Sequence, residues 1–128
     1  MERLKNLFDK TKAGWNRGSE AESIALEFLK KKGLRLVQRN YRCRNGEIDL
    51  IMEERDTLVF VEVRFRQSSA YGSALESVDA KKKSRIIHCA SHYLSVHKIS
   101  RPTRFDVVAL SPDAQRLHID WVPDAFQN

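Results

Sequence analysis

Two carboxylates stand inside segments otherwise composed for burial: Asp49 in Gly46-Glu47-Ile48-Asp49-Leu50-Ile51, and Glu62 in Val59-Phe60-Val61-Glu62-Val63-Arg64. Both segments alternate with a period of two. They are bounded by Asn45-Gly46 and separated by the polar stretch from Glu53 to Asp56, so they predict a β-hairpin. Alternation puts Ile48, Leu50 and Met52 on one face of the first strand, with Glu47, Asp49 and Ile51 on the other. On the second strand it puts Glu62 and Arg64 opposite Val61, Val63 and Phe65. A carboxylate is expensive to desolvate unless it is paired or ligates a metal. The chemistry that accounts for both acids is a divalent-metal site for phosphodiester cleavage. Asp49 and Glu62 would lie side by side on adjacent strands, close enough to share one hard cation such as Mg²⁺ or Mn²⁺, with waters and a substrate phosphate completing the shell. Arg64 lies two residues past Glu62, roughly 6.6 Å along the same face, where it could contact the scissile phosphate. The competing explanation is a structural ion pair of these acids with Arg64 or Arg42, of the ordinary cross-strand kind worth roughly 0.2–1 kcal/mol.

The elements that must position these residues are legible from periodicity. A helix over residues 18–33 carries an apolar arc of Ala21, Ile24, Ala25, Leu26, Phe28 and Leu29, and Gly33 suits its C′ position. Glu22 falls inside that arc, whereas Glu20, Ser23, Glu27, Lys30 and Lys31 fall on the polar side. Glu22 is therefore a candidate supporting acid, or else a core-edge glutamate paired with a base. A second helix, over residues 79–97, buries Ile86, Ile87, Cys89, Ala90, Tyr93 and Leu94 and takes Asp79 as N-cap. Lys82 lies over that arc and Lys83 near its edge, while Lys81 and Arg85 point outward. Lys82 is expected to reach a phosphate, unless it only extends off the core edge. His88 and His92 have the spacing of a metal pair but fall on the polar face with no third ligand, and read as exposed. Strands are expected over residues 34–42, 46–53 and 57–66. Two more, over 104–110 and 116–121, are expected to be broken by Ser111-Pro112-Asp113. This order predicts a single α/β domain over residues 18–128, a mixed sheet of about five strands flanked by helices, preceded by a basic arm over 1–17. Residues 67–75 read as a flexible loop.

The 128-residue chain carries 23 Lys and Arg against 17 Asp and Glu, a net charge of +6. The cations cluster around the acidic hairpin: Arg39, Arg42 and Arg44 before it, Arg64 and Arg66 at its end, then Lys81, Lys82, Lys83 and Arg85. That pattern suits a phosphate polymer, because neutralising phosphates releases counterions; a solubilising surface is the plainer alternative. No stretch approaches a membrane span, and the charged start has no apolar signal core, so a cytoplasmic protein with no membrane partner is expected. Cys43 and Cys89 lack a CxxC spacing and read as reduced thiols, and no zinc ligand set is evident.

The order of an acid on the first helix, Asp on one strand and Glu-x-Lys on the next resembles the PD-(D/E)XK nuclease superfamily, and hence the restriction-endonuclease-like fold. More closely, residues 18–25 with Glu22, 40–42, 46–51, 60–64, 77–82 and 104–108 resemble the YraN family, which is similar to archaeal Holliday-junction resolvases. The resemblance implies metal ligation by Asp49, Glu62 and the Val63 backbone carbonyl, with Glu22 in support and Arg64 where such nucleases carry lysine. Arginine stays protonated, so Arg64 suits a phosphate clamp better than a general base. Nucleic-acid contacts are expected from Arg42, Arg44, Arg64, Arg66, Lys82 and Lys83. The expected partner is DNA, branched or repair intermediates in particular, and a homodimer is compatible with this reading. Two classes stay open: a Mg²⁺- or Mn²⁺-dependent endonuclease, and a nuclease-fold protein that binds nucleic acid or a protein partner without cutting.

Overall fold

The computed structural model describes residues 17–67 and 74–127. The predicted basic arm, and all but the ends of the loop expected over residues 67–75, lie outside the described residues. The chain runs α1 (Arg17–Lys31), β1 (Arg35–Cys43), β2 (Gly46–Glu54), β3 (Thr57–Phe65), a 3₁₀ turn (Leu75–Ser77), α2 (Ala80–Val96), β4 (Thr103–Asp113) and β5 (Arg116–Phe126). One sheet holds the strands in the order β1-β2-β3-β4-β5; β3 and β4 are parallel and every other pair is antiparallel. The crossover carrying α2 from β3 to β4 is what allows the parallel pairing.

The helices cover opposite faces. Under α1, Ala21, Ala25 and Leu29 pack on Leu50, Met52, Val59, Val61, Val108 and Leu110. Under α2, Ile86, Cys89, Ala90 and Tyr93 pack on Ile51, Phe60, Phe105, Val107 and Ala109. β3 is buried from both sides, which explains its nearly continuous apolar run. Gly33 ends α1 with φ +100°, its N–H bonding Lys30 O at 3.0 Å while Leu34 N–H reaches Leu29 O at 3.1 Å, a Schellman arrangement. Asp79 caps α2 by accepting from the Lys82 N–H at 2.8 Å.

Three local expectations are corrected. Ile48 does not follow Leu50 and Met52 to the α1 face but packs with Ile51 under α2. The β2–β3 ladder ends at the Leu50↔Val61 pair, and free of it the beginning of β2 turns over. The break expected at Ser111-Pro112-Asp113 is also absent: β4 runs through Asp113, and the turn falls after it, where Ala114 takes φ 56°. Pro112 is tolerated because β3 ends opposite Leu110, so the missing N–H leaves no ladder bond unmade. β5 continues past Trp121 to Phe126 through Pro123, which its place at the sheet edge permits.

Candidate metal centre

Glu22 enters from α1, Glu47 and Asp49 from the beginning of β2, and Glu62 from the middle of β3. One carboxylate oxygen each from Glu22, Glu47 and Asp49 lies within 4.8 Å of the others. Asp49 is locked to β3: where the ladder stops, its Oδ2 accepts the Val63 N–H at 2.8 Å. Glu62 lies against Asp49 and is 3% exposed, with Oε1 buried and lacking a hydrogen-bond partner. Its Oε2 is 3.5 Å from Lys82 Nζ and 3.7 Å from Arg64 Nη1.

Crowding of like charges out of water raises the affinity of this group for protons. Burial, followed by the charge of Asp49, pushes Glu62 up to about 8 against the pull of Lys82 and Arg64. Burial, followed by Asp49, pushes Glu22 up to about 7, although Arg39 and Asn40 favour its charged form. In the folded chain these acids hold protons that the unfolded chain, titrating near 4.5, gives up. Stability in chelator is therefore full below about pH 4.5 and is lost as pH rises through about 7 to 8. The thermal midpoint should fall between about pH 5 and pH 8.5 in chelator, and Glu62→Gln should flatten that fall. Scanning fluorimetry across the range checks both, and a rising midpoint would contradict the protonation assigned here.

The donor set fits a hard divalent cation. It offers only oxygens, it concentrates negative charge that protons now neutralise, and one buried oxygen has no protein partner. Alternation puts Glu47 on the face of Asp49 but says nothing of its reach to Glu22, and β1 is what brings the two together. Asn40 adopts φ 53°, and with its amide oriented to donate, its nitrogen lies 2.9 Å from both Glu47 Oε1 and Glu22 Oε1. Arg39, beside it, reaches Ser23 Oγ at 3.3 Å and Glu22 at 3.7 Å. Asparagine at the start of an Asn40-Tyr41-Arg42 run is the only sequence signal for this, since asparagine tolerates the left-handed region.

The expected basic residues divide. Arg64 and Lys82 flank Glu62, and Arg42 pairs with Glu47 at 3.8 Å. Arg44 lies exposed in the β1–β2 turn, and Arg66 follows β3 with its N–H on Leu110 O at 2.8 Å. Lys83 sits apart from the acids, its ammonium 5.9 Å from the centre of the Phe126 ring. Cys43 and Cys89 are free thiols, and burial followed by the neighbouring Cys43 pushes Cys89 up to about 12. His92 Nδ1 is 2.6 Å from the Tyr41 hydroxyl on the exposed side of α2.

A five-stranded mixed sheet with a helix on each face makes this a restriction-endonuclease-like α/β domain. The model of Uncharacterised protein family UPF0102 matches residues 21–110, and the chain belongs to that family, the YraN family. It is 50% identical to a UPF0102 protein of Methylococcus capsulatus over 110 residues, 86% of this chain and 89% of the relative. Identity to a UPF0102 protein of Nitrosomonas europaea is also 50%, over 111 residues, covering 87% and 93% of the two chains. Among solved structures, that of Pyrococcus furiosus SfsA in complex with Ca²⁺ is similar at 13% identity and a TM-score of 0.34, covering 84% of this chain and 62% of that one. No helix among the described residues is long and apolar enough to cross a membrane.

Proposed function

We propose that this protein is a divalent-metal-dependent nuclease of the cytoplasm, acting on DNA and on branched or repair intermediates in particular. The observation that carries the reading is the buried, unpartnered Oε1 of Glu62 against Asp49, which itself stands grouped with Glu22 and Glu47. Asp49 and Glu62 would hold Mg²⁺ or Mn²⁺ with help from Glu22 and Glu47, and the Val63 carbonyl is a further expected ligand. Such an ion, when bound, polarises a phosphoryl oxygen and acidifies a water. Arg64 would donate to a non-bridging phosphate oxygen, and its side chain is 39% exposed, open enough to meet one. Lys82 approaches Glu62 from α2 and would supply a second donor at the same phosphate. Glu22, held near 7, can take and return a proton at neutral pH, which suits it to accept one from the attacking water.

A second reading has its own observation in favour. Arg64 and Lys82 both face Glu62 Oε2 and give it cationic partners from within the chain, as in a nuclease-fold protein that binds nucleic acid and does not cut. Incubation with branched, single-stranded and duplex DNA in Mg²⁺ or Mn²⁺ separates the two readings. The nuclease reading predicts metal-dependent cleavage of at least one substrate, and none with chelator. Arg64→Lys sharpens the result, because lysine can exchange a proton whereas arginine cannot. Where water activation limits the rate, the lysine variant should cut faster, within the 10² to 10⁴-fold that acid–base assistance is typically worth, roughly. A variant that cuts more slowly than the native protein would identify Arg64 as a phosphate clamp whose two-pronged geometry matters.

A further inference from the structure

A cleft of about 490 Å³ opens beside the carboxylates, with Arg42, Gly46, Glu47, Lys82 and Arg85 in its lining. It is built from the β1–β2 turn on one side and the first turns of α2 on the other. Gly46 sets the distance between the walls. A Cβ there would lie 3.3 Å from Arg85 Cβ and 3.4 Å from Arg85 O, so the missing side chain lets the turn close on the helix.

The cleft has three cationic side chains against one acid. Arg85 is exposed and, among the described residues, shows no carboxylate partner. Arg42 is paired only loosely, at 3.8 Å from Glu47 with 80% of its side chain exposed. Such a pair in high dielectric costs little to exchange for a stronger acceptor. The cleft is also continuous with the carboxylate group: Glu47 belongs to both, and Lys82 reaches from the cleft wall to Glu62.

We infer that this cleft is a second phosphate subsite, in which Arg42 and Arg85 grip the backbone phosphodiester next to the one presented to the carboxylates. The inference rests on the nuclease-fold reading above and adds to it a direction: the bound strand leaves the acidic group between the β1–β2 turn and α2. Arginine suits the task, since its planar fork meets a phosphate with two parallel hydrogen bonds. The ligand is a phosphodiester of a polymer; a free phosphate ion shares its chemistry and is separated by the test below.

The test measures binding of a fluorescent DNA duplex by anisotropy over a range of NaCl in chelator, so that cleavage plays no part. Native protein is compared with Arg42→Ala, Arg85→Ala, the double variant, and Arg116→Ala, an exposed site on β5 outside the cleft. Loss of each cleft arginine should lower affinity on the order of tenfold, and should reduce the slope of log affinity against log salt by about 0.9. Arg85→Lys should retain the slope and lose part of the affinity. Arg116→Ala should match the native protein, and inorganic phosphate should displace DNA no better than chloride at equal ionic strength. Thermal midpoints equal to the native one verify that the exposed substitutions leave the fold intact. Native binding that survives both cleft substitutions with unchanged slope would overturn the subsite and leave the nuclease-fold reading standing. No binding by the native protein to duplex, branched or single-stranded DNA would remove both. Selective displacement by inorganic phosphate would overturn the polymer assignment in favour of a free anion.

Discussion

Asp106→Ala is expected to cost roughly 3–5 kcal/mol of folding stability, the largest structural effect predicted for a single side chain here. Asp106 is fully buried in β4, and both of its oxygens are used. Oδ1 accepts from Arg104 Nε at 3.0 Å and from the Asp124 backbone N–H at 2.9 Å. Oδ2 accepts from Trp121 Nε1 at 3.0 Å and Arg104 Nη2 at 3.3 Å. Arg104 in turn reaches Glu54 at 2.7 Å, tying β2, β4 and β5 into one network. Burial works against the guanidinium charge, but the hydrogen bonds it donates to Asp106 and Glu54 outweigh it and raise its proton affinity further. Alanine at 106 would leave the part-buried Trp121 indole N–H and the Asp124 backbone N–H without this acceptor, and would leave Arg104 with Glu54 alone. Urea unfolding followed by far-UV dichroism should show the loss, and the thermal midpoint should drop by roughly 10 °C or more. A loss under about 1 kcal/mol would mean that the network contributes little.

Asp49→Asn carries the largest expected effect on activity. Asparagine keeps an oxygen to accept the Val63 N–H, so the strand junction should hold. What it removes is one of the charges that make the group a cation site, and metal-assisted charge stabilisation worth several kcal/mol corresponds on the order of a thousandfold in rate. Single-turnover cleavage of the best substrate from the panel measures it. The same substitution should raise the thermal midpoint in chelator, because it relieves repulsion on Glu22 and Glu62. A variant that cuts as the native protein does would remove Asp49 from the chemistry.

Much of this architecture could be read from residue order, and the exceptions have identifiable causes. Period-two alternation placed Asp49 and Glu62 on neighbouring strands, and helical periodicity singled out Glu22 over Glu20, because both patterns register an acid where an apolar residue should stand. Glu47 escaped that logic. Its approach to Glu22 depends on the left-handed backbone of Asn40 and on the end of the β2–β3 ladder, which are properties of three packed strands and not of any one. Asp106 escaped for a different reason. It too interrupts an apolar strand, but its partners Trp121 and Asp124 lie 15 and 18 residues further on, at the end of the strand expected over 116–121 and beyond it. The turn after β4 was misplaced because Pro112 reads as a breaker, whereas at that point the strand has outrun its β3 neighbour.

The proposed function stands on Glu22, Glu47, Asp49 and Glu62 together binding a divalent cation. Titration calorimetry with Mn²⁺ at about pH 8, above the titration of Glu22 and at that of Glu62, tests it without reference to any substrate. The native protein should bind with proton release that grows as the pH is lowered toward 7, and the Asp49→Ala, Glu62→Ala double variant should show no saturable heat. Equal Mn²⁺ binding by the native protein and the double variant would contradict the claim.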